Sequence, residues 1–284
     1  MHRLGEFELH ILSDGTFRLD GGAMFGIVPK PVWEKVAKAD ERNRITLGLN
    51  TLLIRTGTKN VLVDTGMGDK HDARFKDLYA EAHETTVPKE LAKLGLRPED
   101  IDVVVLTHLH FDHAGGATRR VGSELAPVFP KAVYVIQKGM WTEALEPNPR
   151  TKGSYFQDDF VPLEKVGRVR FVDGEEEVAP GVRVRLTGGH VKHHQIVTAE
   201  SGGRKAIYWA DLLPTTAHVK PAWVMGYDLY PHEVASMKEK MIEQAAAERW
   251  VNVFEHDPAV AMGTLVRDEK GFRVEPIERV PAHG

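Results

Sequence analysis

The fold of this 284-residue chain is decided by the segment Thr107-His108-Leu109-His110-Phe111-Asp112-His113-Ala114-Gly115-Gly116. It follows a run over 101–106 that is apolar apart from Asp102, which is typical of a strand covered on both faces. His108 and His110 are two residues apart, so in extended backbone their side chains point the same way and can bind one metal ion. Asp112 and His113 follow where the chain leaves the strand, and a turn would direct them at a second ion. The alternative is a polar loop of four unrelated side chains, but such groups are costly to desolvate unless they coordinate something.

Three further candidate ligands stand where later strand patterns end. His190, Asp211 and His256 each follow an apolar or alternating stretch, at the position where a sheet presents side chains to a shared rim. Taken alone, each is more often a hydrogen-bonded loop residue. Together with the dense motif, they favour one common site.

The remaining pattern places strands first and intersperses helices. Strands are predicted over 7–12, 51–55, 61–63, 101–106, 132–136, 182–186, 206–209 and 251–254, with a turn at 13–15. Helices are predicted over 87–95, 139–145 and 231–250. Two mixed sheets packed together, with helices outside, satisfy this order. No linker composition divides the chain, so we expect a single domain spanning 1–284.

Composition excludes several classes of protein. Hydrophobic residues make up 42% and charged residues 27%, which is ordinary for a globular protein, and the net charge is −4. There is no cysteine, so disulfides, thiolate ligands and thiol nucleophiles are excluded. We expect no nucleic-acid partner, no membrane segment and a cytoplasmic location, because there is no basic surplus, no long apolar run and no signal-like start. Scarce Asn and Gln favour a thermophilic source.

The motif His108-x-His110-x-Asp112-His113, followed in order by the three later residues, resembles the ligand set of the metallo-β-lactamase-fold hydrolases. The resemblance implies an α+β fold, a four-layer αββα sandwich of two mixed β-sheets flanked by helices, with a dinuclear site at one edge. The first metal would be held by His108, His110 and His190, the second by Asp112, His113 and His256, and Asp211 would bridge them. Two divalent ions are implied; the ligands favour zinc, while iron, manganese and cobalt also fit.

Two further residues match supporting positions of this superfamily. Asp64, at the end of the hairpin strand, would orient a ligand histidine or its loop without binding metal. Its alternative role is that of a turn residue before Gly66. His194 resembles the second histidine of a Gly-His-x-x-Gly-His-Gln string in the lactonase-like branch, although His193 replaces the glycine here. We expect His194 to be structural.

The resemblance also implies a mechanism, in which a hydroxide that bridges the two metals attacks the substrate. Asp211 would act as the bridge, and Asp112 would also carry a proton to the leaving-group oxygen. The layout is most similar to N-acyl-homoserine-lactonase-like members, so an ester or lactone of a small molecule is the expected substrate. A glyoxalase II-like thioesterase and a phosphoester or phosphotriester hydrolase stay open. So does a mononuclear iron oxidoreductase of the dioxygenase type, which metal stoichiometry would distinguish.

Substrate contacts are expected from two apolar stretches. Lactonases of this branch often carry a tyrosine three residues after the bridging aspartate, where this chain has Pro214. His218 would replace it as a polar contact, unless it is a solvated loop residue. The cleft would be walled by Trp223, Tyr227, Met24 and Phe25. Core packing or a dimer contact would explain the same aromatic residues, and the sequence leaves homo-oligomerisation open.

Overall fold

Two seven-stranded sheets form the centre of the computed structural model, which describes residues 1–269 and 271–280. The first sheet has the order β1-β2-β3-β4-β5-β8-β9. From β1 to β4 neighbouring strands pair antiparallel, and β4, β5, β8 and β9 run parallel. The strands are β1 (His2–Leu4), β2 (Phe7–Asp20), β3 (Arg44–Arg55), β4 (Asn60–Val63), β5 (Val103–Val105), β8 (Val133–Gln137) and β9 (Val169–Val172).

The second sheet has its strands in sequence order, from β10 to β16. All its pairs are antiparallel except β13 with β14, which run parallel. The strands are β10 (Glu176–Ala179), β11 (Val182–Leu186), β12 (Gln195–Ser201), β13 (Arg204–Tyr208), β14 (Val251–Val253), β15 (Val260–Asp268) and β16 (Gly271–Arg279). A separate hairpin is formed by β6 (Thr118–Val121) and β7 (Glu124–Pro127).

Helices cover the outer face of each sheet. Apolar residues of α4, α6 and α7 pack on the first sheet, and those of α8 pack on the second. The helices are α1 (Gly21–Phe25), α2 (Lys30–Trp33), α3 (Ala73–Tyr79), α4 (Val87–Lys93), α5 (Phe111–Ala114), α6 (Lys138–Leu145), α7 (Gln157–Lys165) and α8 (Pro231–Ala247). None of the helices in the described part of the chain is long and apolar enough to cross a membrane.

The inner core joins the two sheets. Leu52 and Val105 of the first sheet belong to the same buried cluster as Val197, Tyr208 and Val253 of the second. Burial on both faces explains why these strands read as apolar runs. The layers are therefore helix, sheet, sheet and helix, which confirms the predicted four-layer αββα fold. The predicted domain of 1–284 also includes residue 270 and residues 281–284, which lie outside the described residues.

The predicted turn at 13–15 is wrong, because β2 continues to Asp20. The strand passes this point with a bulge, seen as a register shift between Ser13 and Thr16 against β3. Gly15 has φ +99°, which a side chain would disfavour, and this freedom lets the strand bend without ending. The bulge turns Asp14 inward, where its carboxylate accepts hydrogen bonds from the backbone N–H groups of Met67 (3.0 Å) and Gly68 (2.9 Å).

The end of β5 brings the two sheets together at the motif. Gln195, the first residue of β12, donates its backbone N–H to the carbonyl of Thr107 at 3.0 Å. Its side-chain amide donates to the carbonyl of Leu106 at 2.8 Å. These bonds fix the chain after β5 beside the second sheet, so side chains from both sheets can meet at this edge.

Candidate metal centre

The motif leaves β5 in extended backbone and then enters a short helix. His110 has φ −66° and ψ 153°, and α5 begins directly after it. Asp112 and His113 therefore lie on α5, which confirms that they follow a change of backbone direction. Gly115 and Gly116 allow the segment 65–67, which follows β4, to approach closely. An added Cβ would lie 2.1 Å from the carbonyl oxygen of Met67 at Gly115 and 2.0 Å from that of Thr65 at Gly116.

The structure brings His108, His110, His190 and Asp211 together as one group of ligand atoms within 4.8 Å of one another. Nδ1 of His110 lies 3.0 Å from Nε2 of His108 and 3.2 Å from Nε2 of His190. Nε2 of His190 lies 3.0 Å from Oδ2 of Asp211. Three imidazole nitrogens and one carboxylate oxygen thus converge from three separate parts of the chain.

A second group consists of Asp112, His113 and His256, again within 4.8 Å. The Nε2 atoms of His113 and His256 are 3.3 Å apart, and Nε2 of His256 is 3.6 Å from Oδ2 of Asp112. Asp211 faces this group as well, because its Oδ1 lies 3.2 Å from Nε2 of His256. One carboxylate therefore presents one oxygen to each group.

The donor set fits divalent cations. Oδ1 of Asp211 is buried, and although it lies 3.2 Å from Nε2 of His256, it forms no hydrogen bond within the described residues. A buried carboxylate oxygen without a hydrogen bond is costly. A cation between the two groups would satisfy it. Imidazole nitrogens and carboxylate oxygens without thiolate suit zinc, iron, manganese or cobalt, so the residues fit the implied metals.

The outward nitrogens of several candidate ligands are held by neighbouring groups. Nδ1 of His190 lies 2.9 Å from Oδ1 of Asp228, and Nδ1 of His256 lies 2.9 Å from the carbonyl oxygen of Gly48. Such contacts fix the ring orientation and leave Nε2 free to bind a metal. The sequence did not single out Asp228, and its position within an apolar loop carries no signal for this contact.

His113 has two carboxylates behind it. Its Nδ1 lies 3.0 Å from Oδ2 of Asp64 and 2.8 Å from Oε2 of Glu255. Asp64 also accepts hydrogen bonds from the backbone N–H and the hydroxyl of Thr107, both at 2.7 Å. Asp64 thus contacts a candidate ligand histidine and the loop before it. Its φ of +57° places it in the left-handed region of backbone conformation. Glu255 was missed, and its position directly before His256 was the available signal.

His194 does not contact the candidate metal ligands through its nitrogens. Its Nδ1 lies 2.6 Å from the hydroxyl oxygen of Thr187, and its ring packs beside that of His108 with centroids 5.3 Å apart. It is fully buried, and burial lowers its pKa to about 3. This placement accords with the structural role expected for it.

Charge in the site is unevenly distributed. Burial opposes protonation of His190, but Asp211 and Asp228 outweigh it and raise the pKa of His190 to about 10. His256 is likewise opposed by burial, and Asp211 raises its pKa to about 9. Burial and neighbouring histidines instead lower the pKa of His108 well below its ordinary value. The surplus of buried carboxylate charge attracts cations, whether protons or metals.

A cleft of about 240 Å³ opens onto both groups of ligand atoms. Met24 and Tyr227 line it, together with Leu19, Tyr79 and Met225. Polar groups enter from the site itself and from one loop at the rim. The cleft lining is completed by His110, Phe111, Asp112, Arg150, Thr151, Gly153, Ser154, His190, Val191, Asp211, Gly226, Leu229 and His256.

The other expected substrate contacts lie elsewhere, which corrects the sequence-based interpretation. His218 is fully buried, its ring stacks on Phe25 at 4.9 Å, and its nitrogens lie 2.7 Å from the hydroxyl oxygen of Thr215 and 2.9 Å from the carbonyl oxygen of Met24. Phe25 and Trp223 line a separate groove. His218 and Trp223 therefore pack on Phe25 of α1, whereas Met225 and Tyr227, further along the same loop, line the cleft.

Two ligand groups that share a carboxylate, at the edge of two packed sheets, define a metal-binding enzyme of the αββα class. The chain belongs to the metallo-β-lactamase superfamily, whose family profile matches residues 45–256. The family and the His and Asp groups together indicate divalent metal ions.

Three known proteins illustrate the similarity. The chain is 25% identical over 246 residues to an N-acyl homoserine lactonase from Bacillus cereus, covering 82% of this chain and 88% of that one. A probable metal-dependent hydrolase from Staphylococcus aureus is 34% identical, with a TM-score of 0.91 over 98% of this chain and 100% of its own. AidC, a dizinc quorum-quenching lactonase solved with a product, shares the fold at 24% identity and a TM-score of 0.79, over 98% of this chain and 96% of its own. Family and relatives identify the chain as a hydrolase.

Proposed function

We propose that the chain is a dinuclear metal-dependent hydrolase that cleaves an ester or lactone bond of a small molecule. The observation that carries the proposal is the placement of Asp211, whose Oδ2 lies 3.0 Å from His190 and whose Oδ1 lies 3.2 Å from His256. A carboxylate between two groups of ligand atoms is suited to bridge two ions. The similarity to an N-acyl homoserine lactonase and the fold shared with a dizinc lactonase support zinc and a lactone-type bond.

In this proposal, one metal is held by His108, His110 and His190, and the other by Asp112, His113 and His256. Two divalent ions held there would supply a water of lowered pKa and polarise the carbonyl oxygen of the substrate. Asp228, Asp64 and Glu255 keep the ligand rings oriented through their outward nitrogens. This orientation lets the site form without rearrangement of the fold.

Asp112 carries the proton in the proposed reaction. It is a carboxylate of the second group and also lines the cleft, so it can reach a bound molecule. We propose that it accepts the proton that the attacking water releases and passes this proton to the leaving oxygen as the carbon–oxygen bond breaks. The apolar walls formed by Leu19, Met24 and Met225 bind the rest of the substrate and exclude water from the cleft.

A metal-content assay combined with a substrate panel tests the proposal. Two ions per chain, with turnover of esters or lactones that is lost on chelation, would support it. Preference for a thioester or phosphotriester would keep the hydrolase and change the substrate class. One redox-active iron per chain, with oxygen consumption and no hydrolysis, would overturn the proposal in favour of an iron oxidoreductase.

A further inference from the structure

Arg150 gives the cleft a cationic side chain that the proposed reaction does not use. Among the described residues that line the cleft, it is the only lysine or arginine. It stands at the exposed rim, whereas the ligand atoms lie at the buried end. The surface between them is largely apolar and includes Met225 and Leu229.

The charge of Arg150 is not paired with a carboxylate. Its Nη2 donates to the backbone carbonyls of Gly226 at 2.9 Å and Asp228 at 3.4 Å. Within residues 1–269 and 271–280, no carboxylate lies within 4.0 Å of its guanidinium, and its Nε and Nη1 form no hydrogen bond. Arg120, by contrast, pairs with Asp158 at 3.3 Å. Arg150 thus keeps free donors and an uncompensated positive charge.

Hydrogen bonds tie the backbone of the loop that carries Arg150 to the neighbourhood of the site. The side-chain oxygen of Asn148 accepts the backbone N–H groups of Arg150 at 2.9 Å and Thr151 at 3.2 Å. The carbonyl of Ser154 accepts the N–H of Phe111 at 3.0 Å, at the start of α5. The loop of Arg150 is therefore joined by a hydrogen bond to α5, the short helix that carries Asp112 and His113. The backbone of Arg150 and its Nη2 are held by hydrogen bonds, so less of the side chain has to be ordered when it binds a ligand.

We propose that Arg150 forms an anion subsite, so that the preferred substrate carries a carboxylate remote from the ester or lactone bond that is cleaved. This inference rests on the proposed function. Its free donors, Nε and Nη1, can each donate a charge-assisted hydrogen bond to a carboxylate oxygen, and the guanidinium charge attracts the anion. The apolar wall between the rim and the ligand atoms accommodates the methylene chain that joins the two ends of such a molecule.

The competing explanation is that Arg150 only clamps the loop over 226–228 to the rim. A clamp would act equally on neutral and anionic substrates, because both need the loop in place. An anion subsite acts on the anionic substrate alone, and its effect weakens as salt screens the charge. A matched pair of substrates therefore separates the two roles.

The test uses p-nitrophenyl hexanoate and mono-p-nitrophenyl adipate, which differ by a terminal carboxylate. For Arg150→Gln, we expect kcat/KM for the adipate ester to fall about tenfold, mainly through KM, and kcat/KM for the hexanoate ester to change less than threefold. Arg150→Lys should recover part of the loss. The control is Arg204→Gln, because Arg204 is exposed and donates to the backbone carbonyl of Arg3 at 2.9 Å. A parallel fall for both esters, or no fall for either, would overturn the anion subsite.

A binding measurement keeps the inference testable even if neither ester is hydrolysed, an outcome that would count against the proposed function alone. Calorimetry compares adipate with hexanoate on the metal-loaded wild type and on Arg150→Gln. We expect adipate to bind more tightly than hexanoate, and this advantage to shrink about tenfold in the variant and at high salt. An equal Kd for adipate in both proteins would overturn the inference.

Discussion

Oδ1 of Asp228 lies 2.9 Å from Nδ1 of His190, and both side chains are buried. The other carboxylate oxygen of Asp228 accepts the backbone N–H of Met225 at 2.8 Å. The carboxylate therefore joins a candidate metal ligand to the loop that forms one wall of the cleft. It fixes the histidine ring with Nε2 toward Asp211.

Loss of this contact should weaken metal binding without removing a ligand. For Asp228→Ala, we expect the affinity for the metal ion held by the group that contains His190 to fall about 10- to 100-fold. This is the usual effect of removing a residue that orients a metal ligand. Competition with a chromogenic chelator measures it. The matched control is Asp158→Ala, because Asp158 is exposed and its carboxylate pairs with Arg120 at the surface. Unchanged affinity in Asp228→Ala would show that His190 needs no such support.

The proposed bridge predicts a different result for Asp211. For Asp211→Ala, we expect hydrolysis to be abolished and the metal content to drop below two ions per chain, because both groups lose one oxygen ligand. Elemental analysis after gel filtration gives the stoichiometry, and circular dichroism checks that the variant is folded. A folded variant that retained two tightly bound ions and full turnover would contradict the bridging role.

The central strands of the fold were predictable because they are buried on both faces. The apolar runs before the motif and around 251–254 became β5 and β14, and the helix predicted over 231–250 became α8. The sequence did not predict α7, because Pro162 lies inside that helix and disfavours its interior. The turn expected at 13–15 is a bulge, because Asp14 and Gly15 are compatible with a turn and with a β-bulge alike.

The candidate ligands were predictable from residue type and spacing, and Asp64 from the family resemblance, whereas the supporting residues Asp228 and Glu255 were not predicted. His108 and His110 stand two apart after a strand, and this pattern points to metal binding by itself. Asp228 contacts His190 only because the chain folds back over 38 residues, and no local pattern encodes that distance. The predicted substrate contact of His218 is corrected by the structure, because a buried, hydrogen-bonded histidine and a cleft histidine look alike in sequence.

Removal of the metals should destabilise the whole fold. The candidate ligands lie between 108 and 256 and come from both sheets, so ions bound there favour the folded chain by mass action. We expect the Tm to fall by several degrees after dialysis against a chelator and to recover when zinc is restored. A Tm that is independent of chelation would mean that the metals contribute nothing to folding.

A residue that lines the cleft and a fully buried histidine should respond differently to truncation. Tyr227→Ala should change the relative kcat/KM among substrates about tenfold, because this residue lines the cleft. His218→Ala should instead lower the free energy of unfolding by about 2–3 kcal/mol, since it leaves buried partners without hydrogen bonds, and should leave the substrate ranking unchanged. Denaturant unfolding and the substrate panel measure both. If His218→Ala changed the relative kcat/KM among substrates, His218 would have to be regarded as part of the substrate site.

Because of Lys238, the free energy of unfolding should depend on pH in the alkaline range. Its side chain is 1% exposed, and its Nζ donates to the backbone carbonyl of Trp223 at 2.6 Å. Burial lowers its pKa from 10.5 to about 8. Between these two values the unfolded chain holds a proton that the folded chain has released, so the free energy of unfolding rises with pH.

We expect this rise to be about 3 kcal/mol between pH 8 and pH 10.5, relative to Lys238→Met, which cannot titrate. Urea unfolding of both proteins across this range measures the difference. Lys240→Met is the matched control, because Lys240 is exposed on the same helix and its loss should leave the wild-type pH dependence intact. A constant difference between wild type and Lys238→Met from pH 8 to pH 10.5 would mean that the buried amine keeps its proton throughout.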